Sequence, residues 1–477
     1  MIANRKISPI RRWMKDNLII VLPAAGIVLG FAFGFGIRES KPSTEVLTWI
    51  GMPGELFLRM LKLMVIPFIV SSVITATASL NAKSNGRISI VSITFIVLTN
   101  SLSCVVAIAL VLIMKPGDGV RTEITQTGYR GGMETADVFA DLFRNIMPDN
   151  IVDMMFQQTL TRNHVTNGTY LRNTTNGTVE ETVRKINKIV GKTSGTNLLG
   201  IIMTCLLLGI AINKAEGKGK PVLDFFESLT GVIMIILQWL LRLTPVGILS
   251  LIAVTTATIK DLGQDFRALG MYVGLMTVGI SMHQLIIMPT IFFVFTRRNP
   301  YRFAVQISKA WMMVFATTST AMAIPEMLSA CENHQNVDRR VSRFVVPLCV
   351  ALNANGSAMF ITSAAIFVGT VAGIDLNVGD IILIGILTAV CVMALPPVPS
   401  ASLVALVMIL TSMNIPADSI SLLFAVEWYL DRIRSSSNLV SHTHCVVVTY
   451  HFCKKSLEQS DVLQDIEDDN KNVQQSC

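Results

Sequence analysis

Apolar runs recur along the chain with only short polar interruptions, at residues 18–37, 57–80, 88–114 and 271–295. Further runs cover 198–212, 223–254 and 344–372, and two more lie between 381 and 448. At 1.5 Å of rise per residue, a helix of about 20 residues crosses a bilayer's hydrocarbon core of roughly 30 Å. The pattern predicts a bundle of membrane-spanning helices. Arg5, Lys6, Arg11, Arg12 and Lys15 precede the first run. No small-residue cleavage site follows and many equally apolar runs do, so this run reads as a first span and not a signal peptide. Basic residues mark the cytoplasmic side, and Lys83 and Arg87 after the second run carry the same mark. The two observations agree in parity and place the polar stretch 116–195 outside.

Composition supports lipid over water. Of 477 residues, 51% are hydrophobic and 15% charged, against about a quarter charged in soluble domains. The net charge of +7 is spread over loop ends and forms no nucleic-acid-type stripe. The eight cysteines are scattered, mostly within apolar runs, and no Cys-x-x-Cys pair occurs, which argues against a disulfide framework. Neither a phosphate loop, a nucleotide fingerprint nor a nucleophile elbow is present, so the chain does not read as an enzyme. Asn167-Gly-Thr, Asn173-Thr-Thr and Asn176-Gly-Thr are clustered glycosylation acceptors in the stretch already placed outside. Asn355-Gly-Ser lies among apolar spans and reads as a chance match. Residues 457–477 turn acidic and polar, predicting a disordered cytoplasmic tail.

Two apolar stretches are broken at their centres, at Ala316-Thr-Thr-Ser-Thr-Ala-Met-Ala-Ile-Pro325 and at Leu395-Pro-Pro-Val-Pro-Ser-Ala-Ser402. Irregular backbone at membrane depth survives only when buried in protein or lining a watery cavity, so each is a candidate re-entrant hairpin. Paired interruptions point to a transporter's inverted repeats and midplane site. A polar helix follows each. In Leu352-Asn-Ala-Asn-Gly-Ser-Ala358, Gly356 can break the helix, and Asn353 and Asn355 offer oxygens to a hard cation; a kink with satisfied amides is the alternative. In the last run, Asp431, Arg434 and Asn438 share one face, which Glu427 and His442 extend by a turn each. Each ionised group at the bilayer centre costs about 2.5–3.5 kcal/mol on insertion scales, so such groups face an interior site. A carboxylate beside a guanidinium suits the ammonium and carboxylate of a zwitterion, with Arg434 gripping the carboxylate bidentately. A structural Asp431–Arg434 pair is the alternative.

The chain resembles the excitatory amino acid transporter group of sodium-coupled glutamate and neutral amino acid transporters. The resemblance rests on Pro53-Gly-Glu-Leu56, Arg59-Met-Leu61, Pro67-Phe-Ile-Val-Ser-Ser72, Lys115-Pro-Gly-Asp-Gly119 and Leu243-Thr-Pro-Val-Gly-Ile248. Val337-Asp-Arg-Arg-Val-Ser-Arg-Phe344 and Glu427-Trp-Tyr-Leu-Asp-Arg-Ile-Arg434 extend it, the last being highly specific. It implies an all-α membrane protein of eight transmembrane helices plus two re-entrant hairpins, with inverted repeats, a trimerising scaffold and a mobile transport domain. On that plan, 1–17 is a cytoplasmic N-terminus, 18–115 holds spans one to three, and 116–195 holds the start of span four and a glycosylated extracellular loop. Residues 196–300 hold spans four to six, 301–450 the substrate core with both hairpins, and 451–477 a cytoplasmic tail. The plan implies a multi-pass plasma-membrane protein with both termini cytoplasmic.

The resemblance implies a substrate set of Thr318, Ser319, Thr320, Ser357, Asp431, Arg434, Ser435 and Asn438, with glutamate or aspartate as ligand. It implies sodium at Thr99, Asn100, Asn353, Asn355, Asn438 and His442, no other cofactor, and an associated chloride conductance. Departures gather on the cation positions: neutral Asn355 and His442 stand where the family has aspartates, Ile96 replaces a tyrosine, and Ile361 a proton-carrying glutamate. The second hairpin's tip, Pro397-Val-Pro-Ser-Ala-Ser402, lacks the family's two glycines. Loss of two carboxylates predicts weak sodium affinity and weak or absent concentrative uptake. A relative acting as an anion channel or ligand sensor is therefore an alternative, as is a metal-handling protein using His442, His444, Cys445, His451 and Cys453.

Overall fold

The computed structural model describes residues 18–78, 82–118, 135–174, 177–258, 262–395, 397, 399–416 and 420–475. The basic cluster before residue 18, Asn176, and Pro396 and Val398 of the second interruption lie outside these. Helices α1 (Leu18–Arg38), α2 (Thr44–Ala78) and α3 (Ala82–Met114) open the chain. Lys83 and Arg87, expected in a loop, sit in the first turns of α3. Helix α4 (Thr135–Ile146) leads to strands β1 (Gln157–Thr174) and β2 (Gly177–Ser194), and α5 (Leu198–Lys214) follows. The apolar run 223–254, read as continuous, divides into α6 (Lys220–Arg242) and α7 (Thr244–Thr258), because Pro245 takes the first helical turn where its missing N–H costs nothing.

Helix α8 (Leu262–Met282) passes through a π-turn at His283–Ile287 into α9 (Met288–Thr296). The first interruption forms a helix–turn–helix of α10 (Ser308–Thr317) and α11 (Ile324–Ser329). Helix α12 (Arg339–Leu352) starts on Asp338, whose carboxylate accepts the Arg340 N–H at 2.7 Å; the Arg340 guanidinium holds that carboxyl below its usual range. Then come α13 (Asn355–Val371), α14 (Val378–Cys391), α15 (Ala401–Ser412) and α16 (Ser421–Gln475). Far from being disordered, the acidic tail continues α16 to Gln475. Its Glu, Gln and Lys residues are good helix formers, and the helix before it is already nucleated.

Helices α1, α2, α5, α6 and α7 pack on one another, while α3, α8 to α10 and α12 to α15 gather around α16 and α13. The first group is joined through close backbone approach. Gly26, Gly30 and Gly34 form a four-residue stripe on α1, and a Cβ at each would lie 2.6, 2.9 and 2.7 Å from the carbonyl oxygens of Pro245, Leu249 and Ala253 on α7. Small residues at this spacing let helices meet in lipid, where no hydrophobic force drives them together. In α2, Ser250 Oγ bridges Ile50 O (2.5 Å) and Gly54 N (3.0 Å), inserting a hydroxyl into the helical ladder beside Pro53.

The all-α expectation fails at 157–194. Strands β1 and β2 pair antiparallel from Gln157↔Ser194 to Thr174↔Gly177, a ribbon of 18 residues a side and about 60 Å long. Its sequence is rich in Thr, Val and Ile. The base is fastened by Asn145, whose amide both donates to Thr159 O (2.8 Å) and accepts from Thr159 N (2.9 Å). Asp141 accepts from Thr161 N and Oγ1, both at 2.7 Å, and Gln158 Nε2 donates to Ser412 O on α15 at 3.0 Å.

Candidate functional site

The interior stretch of α16 passes through the centre of its group, and Arg434 on it is only 1% exposed. A guanidinium removed from water must have its charge and its N–H groups met by protein. Nη1 and Nη2 donate to the two oxygens of Glu427 at 3.0 and 2.5 Å, and Nη2 lies 2.8 Å from Asp431 Oδ1. The ring of Phe360 on α13 lies 4.5 Å below its carbon centre. The polar stripe is thus a closed triad along one helix face. The structural pair envisaged as the alternative is present, and Glu427, given no role by spacing alone, holds the arginine bidentately.

Both interrupted segments bring their turns onto this stretch of α16, the second onto the triad and the first onto the neighbouring Ser435. Ser400 N donates to Asp431 Oδ2 at 3.0 Å, and Ser435 Oγ donates to Thr318 O at 3.3 Å. The turns also meet each other, Ser319 Oγ donating to Pro397 O at 2.9 Å. Thr320 is buried in the first turn. Each turn carries a non-glycine residue in the left-handed region, Thr318 at φ 55° and Ser400 at φ 57°. Such residues cost about 1–3 kcal/mol each and cluster at ligand clamps and switches.

One helical turn further, α12 and α13 meet at an unwound step. The sequence named Gly356 as the breaker, but the helix stops at Asn353 and Ala354. Gly356 lies inside the first turn of α13, where a Cβ would strike the backbone of Arg434. Side chains meet four of the step's backbone groups. Asn100 Nδ2 donates to Leu352 O and its Oδ1 accepts from Ala354 N, both at 3.2 Å. Asn438 Oδ1 accepts from Gly356 N at 2.8 Å, and its Nδ2 reaches Ser357 Oγ at 3.4 Å. His442 Nε2 lies 2.6 Å from Asn353 O and, facing a carbonyl, carries the proton and donates.

Two residues were missed from the sequence. His283, in the π-turn after α8, sets Nδ1 2.8 Å from Ser437 Oγ and Nε2 3.4 Å from Asn355 Nδ2. Ser441 Oγ accepts from Asn353 Nδ2 at 2.9 Å and donates to Asn355 Oδ1 at 3.1 Å. A lone histidine in an apolar run was the signal for the first, since buried polar residues there face an interior; π-turns also favour functional sites. The metal-handling alternative finds no support. His444 Nδ1 is spent on Val440 O at 2.7 Å, and no cluster of three or more His, Cys, Asp or Glu suited to a metal exists among the described residues.

Residues 19–452 match the model of the sodium:dicarboxylate symporter family. The chain belongs to that family. It is 33% identical over 456 residues to an excitatory amino acid transporter of Caenorhabditis elegans, covering 94% of this chain and 91% of the relative. It is 34% identical over 468 residues to excitatory amino acid transporter 3 of Mus musculus, covering 96% and 89%. Against excitatory amino acid transporter 1 of Ambystoma tigrinum the identity is 30% over 481 residues, covering 97% and 89%. The sodium:dicarboxylate symporters are membrane transporters, not enzymes, and this member is a mostly helical membrane protein with several membrane-competent helices.

The symporter family's name carries sodium, and the residues singled out for it fit a hard cation poorly. Such ions take oxygen ligands, about six or more for magnesium and calcium, with carboxylates prominent among them. The set Thr99, Asn100, Asn353, Asn355, Asn438 and His442 contains no carboxylate. Donors already face Asn353 O, Asn355 Oδ1, Asn438 Oδ1 and Asn100 Oδ1, and the Thr99 hydroxyl donates to Phe95 O at 2.9 Å. Of the amide side-chain oxygens in the set, Asn353 Oδ1 alone has no donor.

Proposed function

We propose that this chain carries an acidic amino acid, glutamate or aspartate, across the membrane, with Arg434 receiving the side-chain carboxylate and Asp431 the ammonium. The observation that carries the reading is the buried guanidinium already gripped by a carboxylate in fork-to-fork geometry, Nη1 and Nη2 on the two oxygens of Glu427. A ligand carboxylate of the same shape replaces Glu427 on the fork, and its ammonium pairs with the Asp431 carboxylate beside it. Entry requires the Ser319–Pro397 contact between the two turns to open, which makes those turns the gate. Relatives of 30–34% identity bear the name excitatory amino acid transporter, in accord with such a cargo.

The test is uptake and equilibrium binding of labelled aspartate and glutamate by the purified chain in proteoliposomes, beside Arg434→Ala and Arg434→Lys. Loss of the bidentate, charge-assisted pair lowers affinity at least about tenfold in Arg434→Ala. Arg434→Lys also loses binding, since an ammonium cannot reproduce the planar fork. Unchanged uptake by Arg434→Ala sinks the assignment. A chloride current with no substrate flux points instead to an anion channel.

A further inference from the structure

An unwound step inside a membrane helix leaves carbonyl oxygens and N–H groups that nothing in lipid can satisfy. A bound cation is one remedy for the carbonyls; an N–H donor is another. At the step between α12 and α13 the second remedy is in place at two carbonyls, and side-chain oxygens meet two N–H groups. Leu352 O has Asn100 Nδ2, Asn353 O has His442 Nε2, Ala354 N has Asn100 Oδ1, and Gly356 N has Asn438 Oδ1. The side chains of the step are tied in turn: Asn353 Nδ2 to Ser441 Oγ, Ser441 Oγ to Asn355 Oδ1, Asn355 Nδ2 to His283 Nε2, and His283 Nδ1 to Ser437 Oγ.

The chain of bonds is consistent in its donors and acceptors. His283 accepts at Nε2 from the Asn355 amide, which leaves Nδ1 to donate to Ser437; Asn355 accepts at Oδ1 because Ser441 donates there. Every member is neutral in this arrangement, and every member is buried, with Asn355, Ser437 and Ser441 at 0% exposure. An N–H aimed at the Asn353 carbonyl presents positive charge where a cation would approach. The network leaves Asn353 Oδ1 and His442 Nδ1 without partners, and its remaining bonds tie α13 and α16 to the π-turn after α8.

We infer that His442, backed by His283, does for this step what a bound cation would do, so that the step stays formed and the Arg434 site binds its ligand without sodium. His442 and His283 are positioning residues, since neither touches the triad. The inference rests on the proposed function only for its ligand arm; the state of the step itself is measured independently.

The experiment is the melting of the purified full chain in detergent, in sodium chloride against choline chloride at equal ionic strength, with labelled aspartate binding measured in the same two media. Anything that binds the folded state alone raises its melting temperature by mass action. The wild type melts at the same temperature in both media. His442→Gln, which keeps an N–H donor of similar reach, does the same. His442→Asp, which replaces the donor with a carboxylate beside a bare carbonyl, acquires a melting temperature that climbs with sodium. A sodium-dependent rise in the wild type overturns the inference, and so does a folded His442→Asp indifferent to sodium; should that variant not fold, the wild-type comparison decides. Aspartate binding of equal strength in both media agrees with the inference, and binding confined to sodium contradicts it. Absence of binding in both media refutes the Arg434 reading, while the melting comparison still decides whether sodium acts on the step.

Discussion

In the proposed function, Glu427 and the ligand compete for one guanidinium. The bidentate Glu427–Arg434 contact stabilises the ligand-free site, so its strength is subtracted from the ligand's affinity. Glu427→Gln keeps a polar group of the same length but removes the charge, and a hydrogen bond to a charged group contributes about 1.5–3 kcal/mol against 0.5–1.5 for a neutral one. The expected outcome is tighter aspartate binding, by about tenfold, read by isothermal titration. Weaker binding in that variant would show that Glu427 supports the ligand and does not stand in for it. The sequence made Asp431, Arg434 and Asn438 legible through their three- and four-residue spacing on one face. It could not show that Glu427 reaches seven residues along to take the fork, because that depends on side-chain torsions and on the absence of water. Nor could it show His283 meeting Asn355, a contact between helices far apart in the chain.

At the scale of elements, the contact between α13 and α16 is made of backbone. A methyl at position 356 would meet the carbonyl oxygen, carbonyl carbon and Cα of Arg434, none of which can turn aside as a side-chain tip can. Gly356→Ala therefore pushes the two helices apart, costs about 1–3 kcal/mol as overpacking does, and displaces Arg434 from the gate turns. A lowered melting temperature together with lost aspartate binding is the outcome to look for; an unmoved melting curve would mean the helices separate freely. Most helices were legible because long apolar runs permit little else in lipid. Their breaks were less so: the polar step was visible, but its position two residues before Gly356 is set by which backbone groups Asn100, Asn438 and His442 can reach. The β ribbon went unread because three glycosylation signals in a polar stretch resemble a loop, although Asn176-Gly177 and the abundant β-branched residues around it are hairpin signals.

For the molecule as a whole, the helices form two groups, one joined by the glycine stripe of α1 on α7 and one assembled around α16 and α13, with the ribbon rising from α4. The positive-inside reading puts that ribbon outside, and Asn167 and Asn173 lie on its first strand. Expression in a glycosylating cell is expected to give a gel band that drops on amidase treatment, and the shift should vanish when Asn167, Asn173 and Asn176 are all changed to Gln. A chain that shows no shift would reverse the orientation drawn from Lys83 and Arg87. The ribbon's base has one further connection: Gln158 holds the last turn of α15, whose other end supplies the turn over Asp431. An arm about 60 Å long, anchored at such a point, is a lever. A pull on its outer end is carried through Gln158 to the segment whose first turn meets Asp431.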